Sequence, residues 1–568
     1  MRLMNQSKYL PCASLKQWEE AGASVLDTLK GYTDLCLNLS PKSFGDTEKP
    51  GDIGKKFDTS LEVISKQMLN LTFTLVRTRN RLASSLCRLP EEILSAIFMN
   101  AVFESSHSGG SHSTSIEQDI CLIYRRLYVL LGVCSTWRDV IMAEGVFWSL
   151  IPMVVNWSSQ KQAPLELILQ RAKGNRLHLV ATDNSPDASE NIIKFLTKYG
   201  SRLHTINLSS SKHHLIKEAI ERLMDQDAAG SLVSLAIRST EISNDSGWQS
   251  SGGDYVIHRG YRYQESFINL IGALKVLRIQ GVRFHWDTMV FSSRLVNLHI
   301  ENITLGYDDE IYPFLRALSS ASELRDLKII NVYTSYLPHS VLNSEVSPPV
   351  VFPTLQSLHV QVIFFNTLKS LLPMIATGSH RLSLFLESEC LYNNWRDSDD
   401  GFGPDEPEIF VDIISLCQVL EQASVDTLVL ERTMGEDWLK GSGIHKLLQA
   451  TPALKTLKMH SWNFNKDTWS NLTPDWTSGS FPMIEVLELT NATIVADEGF
   501  REMVASHPLR RVVLGASTAA TPRYSAPRKP LQEDSDVVTW MRENVPDFCL
   551  VDSRYVPSEM KGDIWGLW

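Results

Sequence analysis

The sequence predicts an α/β fold in which a small helical module precedes a solenoid of parallel strands and outer helices. An apolar spacing that suits a buried strand returns many times between residues 165 and 515, with helix-like stretches between the copies. Before them, residues 86–151 carry apolar stripes at helical spacing. With 43% hydrophobic and 21% charged residues, the chain has the composition of a folded protein. Its 568 residues are more than one compact hydrophobic core usually holds.

The recurring strand pattern is L-x-x-L-x-L, with an apolar residue at each of three anchor positions. Consecutive copies begin 29, 42, 21, 29, 31, 70, 29 and 30 residues apart, and the longest gap has room for a degenerate copy near Leu382, Leu384 and Leu386. One copy cannot bury its apolar face alone, so we expect neighbours to stack and share a core. The anchors are Leu203/Ile206/Leu208, Leu232/Leu235/Ile237, Leu274/Leu277/Ile279, Leu295/Leu298/Ile300, Leu324/Leu327/Ile329, Leu355/Leu358/Val360, Val425/Leu428/Leu430, Leu454/Leu457/Met459 and Ile484/Leu487/Leu489.

This alternation of strand and helix resembles the leucine-rich repeats, which implies a horseshoe of parallel strands and outer helices over residues 165–515. The copies depart from the family at its usual asparagine, so we do not expect a regular asparagine ladder, and the curvature stays open. The departing residues are Val282, Ile303, Val332 and Trp462 at the usual position, and Asn302, Asn331 and Asn491 one position early. The alternative is an ordinary doubly wound α/β domain, which rarely sustains nine copies of one pattern.

The helical module is predicted to begin near Pro90. Proline suits the first helical position, and Glu91 and Glu92 complement the positive end of the helix. A module of this size can bury only a small core, so a helical partner surface would complete it. Trp148 is expected to close the module as a large buried side chain. The first helix has its stripe at Ile93, Leu94, Ile97, Phe98, Ala101 and Val102, and the second at Leu127, Leu130, Leu131, Cys134 and Trp137.

Together these motifs resemble an F-box, the helical module that docks a substrate receptor onto the Skp adaptor of cullin-RING ubiquitin ligases. The chain departs from the usual pattern by an inserted loop over residues 104–118, a feature that large fungal F-box families share. The alternative is a pair of ordinary amphipathic helices in a larger fold. The resemblance implies an adaptor contact at Leu89, Pro90, Ile93, Leu94, Phe98, Val133, Cys134 and Trp137, with Trp148 packing beneath.

Composition excludes several other classes of function. The net charge of −11 argues against generic nucleic-acid binding, and no apolar run suits a membrane span. Eight scattered cysteines without a CxxC pair suit a reducing compartment and no zinc site. We therefore expect a cytoplasmic or nuclear protein without nucleic-acid or membrane partners.

The remaining segments are predicted from their composition. Residues 1–54 are expected to be partly disordered, and residues 55–85 to form an amphipathic helix that folds back on the neighbouring module or a short coiled coil. Residues 516–530 are interpreted as a linker. Residues 531–568, with eight acidic and three basic residues, are expected to cap the last repeat, with a partner-binding tail as the alternative.

The sequence carries no phosphate-binding loop, dinucleotide fingerprint, nucleophile elbow or zincin motif, so we expect a non-catalytic protein without metal or cofactor. The acidic segment 393–407 invites a calcium hypothesis, but its spacing fails the EF-hand template and favours a solvated loop. An active site formed by residues distant in sequence is the rival interpretation.

A target-binding surface is predicted on the inner face of the strands, where side chains alternate with the buried anchors. Most of the residues between the last two anchors are basic or potentially basic, although the chain is acidic overall. A cationic column of this kind would select acidic or phosphorylated target segments. The alternative is a solvated strand face whose excess of positive charge is due to chance. The column comprises Arg278, His299, Lys328, His359 and Lys458.

The resemblance thus implies a substrate-recognition subunit of a Skp-cullin-F-box ubiquitin ligase. Its F-box would bind the Skp adaptor and through it a cullin, and its repeats would bind an unidentified target protein. The alternative is a non-catalytic leucine-rich-repeat scaffold that acts without a cullin.

Overall fold

A computed structural model describes most of the chain as two compact units, Met1–Pro90 and Glu91–Trp568. The predicted loop at 105–115 and most of the acidic segment 393–407 lie outside the described residues. The structure describes residues 13–39, 50–83, 86, 89–104, 116–154, 165–183, 186–225, 230–240, 255–257, 260, 262–336, 348–376, 378, 380–394, 410–432, 438–474, 481–495, 499–519, 528–557 and 560.

The first unit contains two long helices, α1 (Ala13–Asn38) and α2 (Pro50–Ala83). Within the segment predicted to be partly disordered, residues 1–54, the described residues of α1 are helical. Its 26 residues contain no proline and are rich in alanine, leucine and other good helix formers. Helix α2 agrees with the amphipathic helix expected at 55–85, but its apolar stripe is largely exposed at Leu61, Met68, Leu71, Leu75 and Leu82.

The second unit combines fourteen described helices with a 16-stranded, mostly parallel sheet, so the predicted α/β class is confirmed. Its helices are α3 (Glu91–Phe103), α4 (Ile116–Val133), α5 (Ser135–Ala143), α6 (Leu165–Ala172), α7 (Pro186–Tyr199), α8 (His213–Asp225), α9 (Gln264–Gly272), α10 (Ile311–Leu318), α11 (Phe365–Leu371), α12 (Ile413–Leu420), α13 (Gly443–Gln449), α14 (Lys466–Leu472), α15 (Phe500–Ser506) and α16 (Asp536–Asn544).

Fourteen of the sixteen strands lie side by side in chain order, while β12 pairs with β13 and β16 with β14 off this path. A doubly wound sheet reverses its strand order, so this topology is consistent with the predicted solenoid-like fold and disfavours the doubly wound alternative. The strands are β1 (Leu150–Met153), β2 (Leu177–Thr182), β3 (Leu203–Ser210), β4 (Ser234–Ser239), β5 (Val276–Gln280), β6 (Asn297–Tyr307), β7 (Asp326–Ser335), β8 (Ser357–Gln361), β9 (Arg381–Leu386), β10 (Val425–Glu431), β11 (Thr456–His460), β12 (Asn463–Phe464), β13 (Val486–Ile494), β14 (Arg511–Thr518), β15 (Lys529–Pro530) and β16 (Asp547–Leu550).

Every anchor residue of the nine predicted copies is at most 3% exposed, so the L-x-x-L-x-L pattern marks the core of the sheet correctly. The degenerate copy also exists, since Leu382, Leu384 and Leu386 are buried on β9. Burial of this long apolar row against the outer helices is the main source of stability in a repeat fold.

The residues that follow the last anchor of each strand explain why the repeats lack a regular asparagine ladder. Val282, Ile303, Val332 and Trp462 are buried, so apolar side chains fill the position at which the family carries asparagine. The early asparagines instead adopt a left-handed backbone, which asparagine and glycine tolerate better than most residues. Positive φ angles recur at this turn in Gly281, Asn302, Asn331, Val362, Ser461 and Asn491.

Both ends of the solenoid differ from the predicted domain boundaries. Strand β1 pairs with β2, so Leu150 and Ile151 at the end of the helical module already belong to the sheet. At the other end β14 and β15 occupy parts of the predicted linker 516–530, while β16 pairs in parallel with β14. Helix α4 begins at Ile116, inside the predicted loop 104–118. None of the described helices is both long and apolar enough to cross a membrane.

Candidate functional site

Helices α3, α4 and α5 pack against one another around a core of their own. Leu94, Phe98 and Val102 form the buried stripe of α3, at the four-residue spacing that keeps side chains on one helix face. The facing stripe of α4 has Ile116, Ile120, Ile123, Tyr124 and Leu127. The predicted second stripe is therefore only partly right, because Leu127 is its single fully buried member and Cys134 has an extended backbone that separates α4 from α5.

Polar contacts fix this core to the start of the sheet. The Tyr124 hydroxyl donates to the carbonyl of Leu150 over 2.6 Å, and the Trp148 indole donates to the carbonyl of Ile141 over 3.1 Å. Trp148 is fully buried, as expected for an anchor beneath the module, and the Arg171 guanidinium lies 4.4 Å from its ring centroid. These contacts join α4 to β1 and α5 to the turn that precedes β1.

The same helices also carry exposed apolar side chains. Of the twelve exposed large apolar side chains described after residue 90, six lie on α3, α4 and α5. Two pairs at four-residue spacing dominate this group, Ile93 with Ile97 on α3 and Val129 with Val133 on α4. We call this set the apolar helix face; it comprises Ile93, Ile97, Tyr128, Val129, Val133 and Met142.

The structure divides the predicted adaptor residues into two groups. Ile93 and Val133 are exposed on the apolar helix face, whereas Leu94 and Phe98 are core residues at 1% and 2% exposure. Assigning Leu94 and Phe98 to the adaptor contact is therefore wrong, because a module with so small a core needs both side chains for itself. Sequence reasoning missed Tyr128 and Val129, although they lie on the same helix as Val133, five and four residues before it.

Trp137 and Cys134 take intermediate positions in the same module. Both are half-buried, and the Trp137 ring lies 4.7 Å from that of Phe98. The Trp137 indole nitrogen is buried without a hydrogen-bond acceptor among the described residues. In the first unit, Leu89 is half-buried and Pro90 is exposed, and α3 begins at the next residue, Glu91, and not at Pro90 itself.

The predicted cationic column is only partly continuous. Arg278, His299, Lys328 and His359 lie directly opposite one another on strands β5 to β8. Lys458 is not in this row, because it lies opposite Val429 on β10, which in turn lies opposite Phe385 on β9. Across β10 and β9, Lys458 therefore aligns with Gln361 on β8, two positions after His359.

Carboxylates also compensate part of the predicted positive charge. Lys458 Nζ lies 3.1 Å from Glu488 Oε2 on the adjacent strand, and His299 Nε2 lies 3.2 Å from Glu301 Oε2. Burial lowers the pKa of the Arg278 guanidinium. The strand face is therefore a mixed, half-buried polar surface, and not the unbroken cationic column that the sequence predicts.

Three glutamates crowd the ends of strands β9 and β10. Glu387 and Glu431 follow the paired residues Leu386 and Leu430, and Glu389 lies two residues beyond Glu387. Burial raises the pKa of Glu387 to about 8, with the charges of Glu389 and Glu431 adding to the effect. Burial, followed by the charge of Glu389, also raises the pKa of Glu431. This acidic trio is a local concentration of carboxyl groups that sequence reasoning missed.

Glu387→Gln is expected to stabilise the protein at alkaline pH. As pH rises from about 4.5 to 8, the glutamate ionises in the unfolded chain before it ionises in the folded one, so the wild-type protein loses stability. The amide cannot ionise, so the variant should gain about 1–3 kcal/mol in free energy of unfolding at pH 8.5 and little at pH 4.5. Urea unfolding at both pH values measures this difference.

The control for this prediction is Glu323→Gln, which changes an exposed glutamate outside the trio. Its free energy of unfolding should match that of the wild-type protein at both pH values. Equal stabilisation of Glu387→Gln at both pH values would contradict the raised pKa of Glu387.

The fold and the apolar helix face thus define a solenoid-like α/β protein with a helical module at the start of its sheet. Within the described residues, no group of three or more histidine, cysteine, aspartate or glutamate side chains is arranged to hold a metal ion. No protein-family model matches the chain, and no curated protein matches its sequence.

Proposed function

We propose that this protein is the substrate-recognition subunit of a Skp-cullin-F-box type ubiquitin ligase. In this proposal the helical module binds a Skp-family adaptor, and through it a cullin, in the cytoplasm or nucleus. The solenoid binds the target protein. The other subunits supply the catalytic machinery, and no residue of this chain takes part in bond chemistry.

The observation that supports the adaptor assignment most strongly is the apolar helix face itself. Exposed apolar side chains that cluster on a protein surface mark interaction sites, and these six lie on helices that also carry buried core residues. An amphipathic partner helix can lie across two such pairs at four-residue spacing. The half-buried Trp137 adjoins the same core through Phe98 and adds an aromatic group of the kind enriched at interfaces.

The solenoid would present the target to the ligase. The row Arg278, His299, Lys328 and His359 is proposed as part of this target-binding surface, and Lys458 as a separate contact beside Glu488. Holding a target lysine near a charged conjugating enzyme raises its effective concentration, so a receptor accelerates transfer without catalytic residues.

The double variant Ile93→Asp/Val133→Asp tests the adaptor contact. Both side chains are exposed, so the carboxylates should leave folding intact and place charge in an apolar interface. We expect the affinity for purified Skp adaptor to fall by about 100-fold or more, measured by calorimetric titration of the full-length chain. Co-purification from cells then asks whether cullin accompanies the adaptor.

The control is Val290→Asp/Val351→Asp, which changes two exposed valines outside the helical module and should keep wild-type affinity. Adaptor binding without cullin would favour the alternative, a scaffold that acts outside the ligase. Failure of the unmodified chain to bind the adaptor would overturn the ubiquitin assignment.

A further inference from the structure

Helix α2 carries a stripe of side chains, almost all apolar, that repeats every seven residues. Its eight positions are separated by alternating steps of four and three residues, and they extend over about 39 Å of helix. A strict seven-residue repeat keeps one stripe facing a partner helix in a left-handed coiled coil. We call these positions the α2 seam; it comprises Phe57, Leu61, Ile64, Met68, Leu71, Leu75, Thr78 and Leu82.

The structure leaves the α2 seam open. Six of its apolar side chains are between 39% and 73% exposed, and Ile64 is half-buried. Helix α1 does not cover the seam, because the structure describes all 26 residues of α1 and none of them is buried. Most of the stability of a helix in a folded protein comes from packing of its apolar face, so a continuous exposed seam indicates a partner helix.

The α2 seam is complementary to itself when a second copy of α2 runs in the opposite direction. A two-fold axis between residues 69 and 70 then places a large apolar side chain in every layer of the interface. Parallel helices would instead pair each seam residue with its own counterpart, and Thr78 would meet a second threonine. The antiparallel layers are Met68 with Leu71, Ile64 with Leu75, Leu61 with Thr78 and Phe57 with Leu82.

The charges beside the seam favour the same direction. Asp58 and Arg79 are both exposed and lie three heptads apart, each immediately after a seam residue on the same side of the seam. In the antiparallel arrangement, Asp58 of each copy lies near Arg79 of the other, so two ion pairs flank the interface. Arg77 and Arg79 lie near the C-terminal end of α2, and parallel helices would bring the arginines of both copies together.

We propose that α2 is a self-association site through which two copies of this chain form an antiparallel coiled-coil dimer. The interface is isologous, since each copy contributes the same α2 seam. The inference goes beyond the proposed function, because this surface contacts neither the adaptor nor the target.

Sedimentation equilibrium of the purified full-length chain tests this association. We expect a species of twice the 64.0 kDa chain mass, with a dissociation constant of about 10 µM or tighter. Leu71→Asp/Leu75→Asp changes two exposed seam residues, so it should leave the chain folded. It should weaken dimerisation by about 100-fold or more, because it buries carboxylates in the apolar layers of both copies.

Val63→Asp/Leu69→Asp is the matched control. It places the same charges on the same helix, at exposed apolar positions outside the seam, and should keep the dissociation constant of the wild-type dimer. Ile93→Asp/Val133→Asp should also dimerise normally, because the measurement contains no adaptor.

Charge reversal at low salt determines the direction of the helices. Asp58→Arg opposes Arg79 of the second copy with a like charge, and Arg79→Asp does the same to Asp58, so each variant should weaken dimerisation about tenfold. The combined variant Asp58→Arg/Arg79→Asp restores both ion pairs in reversed order and should regain wild-type affinity. In parallel helices these two positions would lie about 32 Å apart and could not compensate each other.

Three results would overturn the proposed dimer, whatever the result of the adaptor titration. A chain that stays monomeric at about 100 µM would mean that another segment, such as α1, covers the seam in solution. A dimer that survives Leu71→Asp/Leu75→Asp would place the interface elsewhere. A combined charge reversal that binds no better than the single variants would exclude the antiparallel arrangement.

Discussion

Gly145→Ala is expected to lower the free energy of unfolding by about 3 kcal/mol or more, because the added methyl group has no space. A Cβ at this position would lie 2.3 Å from Asn175 Nδ2 and 2.7 Å from the carbonyl oxygen of Ala172. The asparagine side chain can move, but the backbone of Ala172 at the end of α6 is buried and cannot yield without repacking. Gly145 also begins the 3-10 turn that contains Trp148.

Thermal and urea unfolding of the full-length protein measure this effect. The matched control is Gly272→Ala at the end of α9, where a Cβ meets nothing within 4 Å. Alanine is the better helix former, so the control should be as stable as the wild-type protein or slightly more stable. If Gly145→Ala were also neutral, the close approach between this turn and α6 would be disproved.

Asn366→Ala is expected to cost about 2–4 kcal/mol, since it breaks a buried polar network. The side-chain amide of Asn366 donates to Asp308 Oδ1 over 2.7 Å and to the Thr334 carbonyl over 3.0 Å. Its oxygen accepts from the backbone amide of Asn394 over 2.9 Å. Asn366 and Thr334 are 3% and 0% exposed, so water cannot readily replace these partners.

The pH dependence of this loss identifies its cause. Burial raises the pKa of Asp308, and hydrogen bonds from Thr334 and Asn366 oppose that rise. Without Asn366 the pKa of Asp308 should rise further, because the lost hydrogen bond favours the ionised carboxylate, so the variant should lose more stability at pH 7 than at pH 4. Urea unfolding at the two pH values tests this.

Asn471→Ala is the matched control for the network. It removes an asparagine whose amide makes one exposed hydrogen bond, over 2.9 Å to the carbonyl of Gly441. Its cost should be below about 1 kcal/mol and independent of pH. A loss for Asn366→Ala no larger than that of the control would mean that the buried network contributes little.

The strand pattern was predictable because it depends on local spacing and burial. Leu277 and Ile279, for example, alternate with Arg278, and the structure buries the first two and leaves Arg278 half-buried. The same reasoning placed Trp148 in the core of the helical module. It failed for Leu94 and Phe98, because spacing shows that a helix has an apolar stripe and not which part of that stripe its own neighbours cover.

The sequence by itself determined the α/β class, the buried rows of the sheet and the position of the helical module, since each follows from apolar periodicity along a short segment. Only the tertiary structure decided which residues meet across strands and helices. The pairing of β8, β9, β10 and β11 placed Lys458 opposite Gln361, two positions beyond its predicted row. The acidic trio brings Glu387 and Glu389 near Glu431, which lies 44 positions after Glu387 in the chain. Contacts between such distant residues depend on how strands pair and helices pack, which local spacing does not encode.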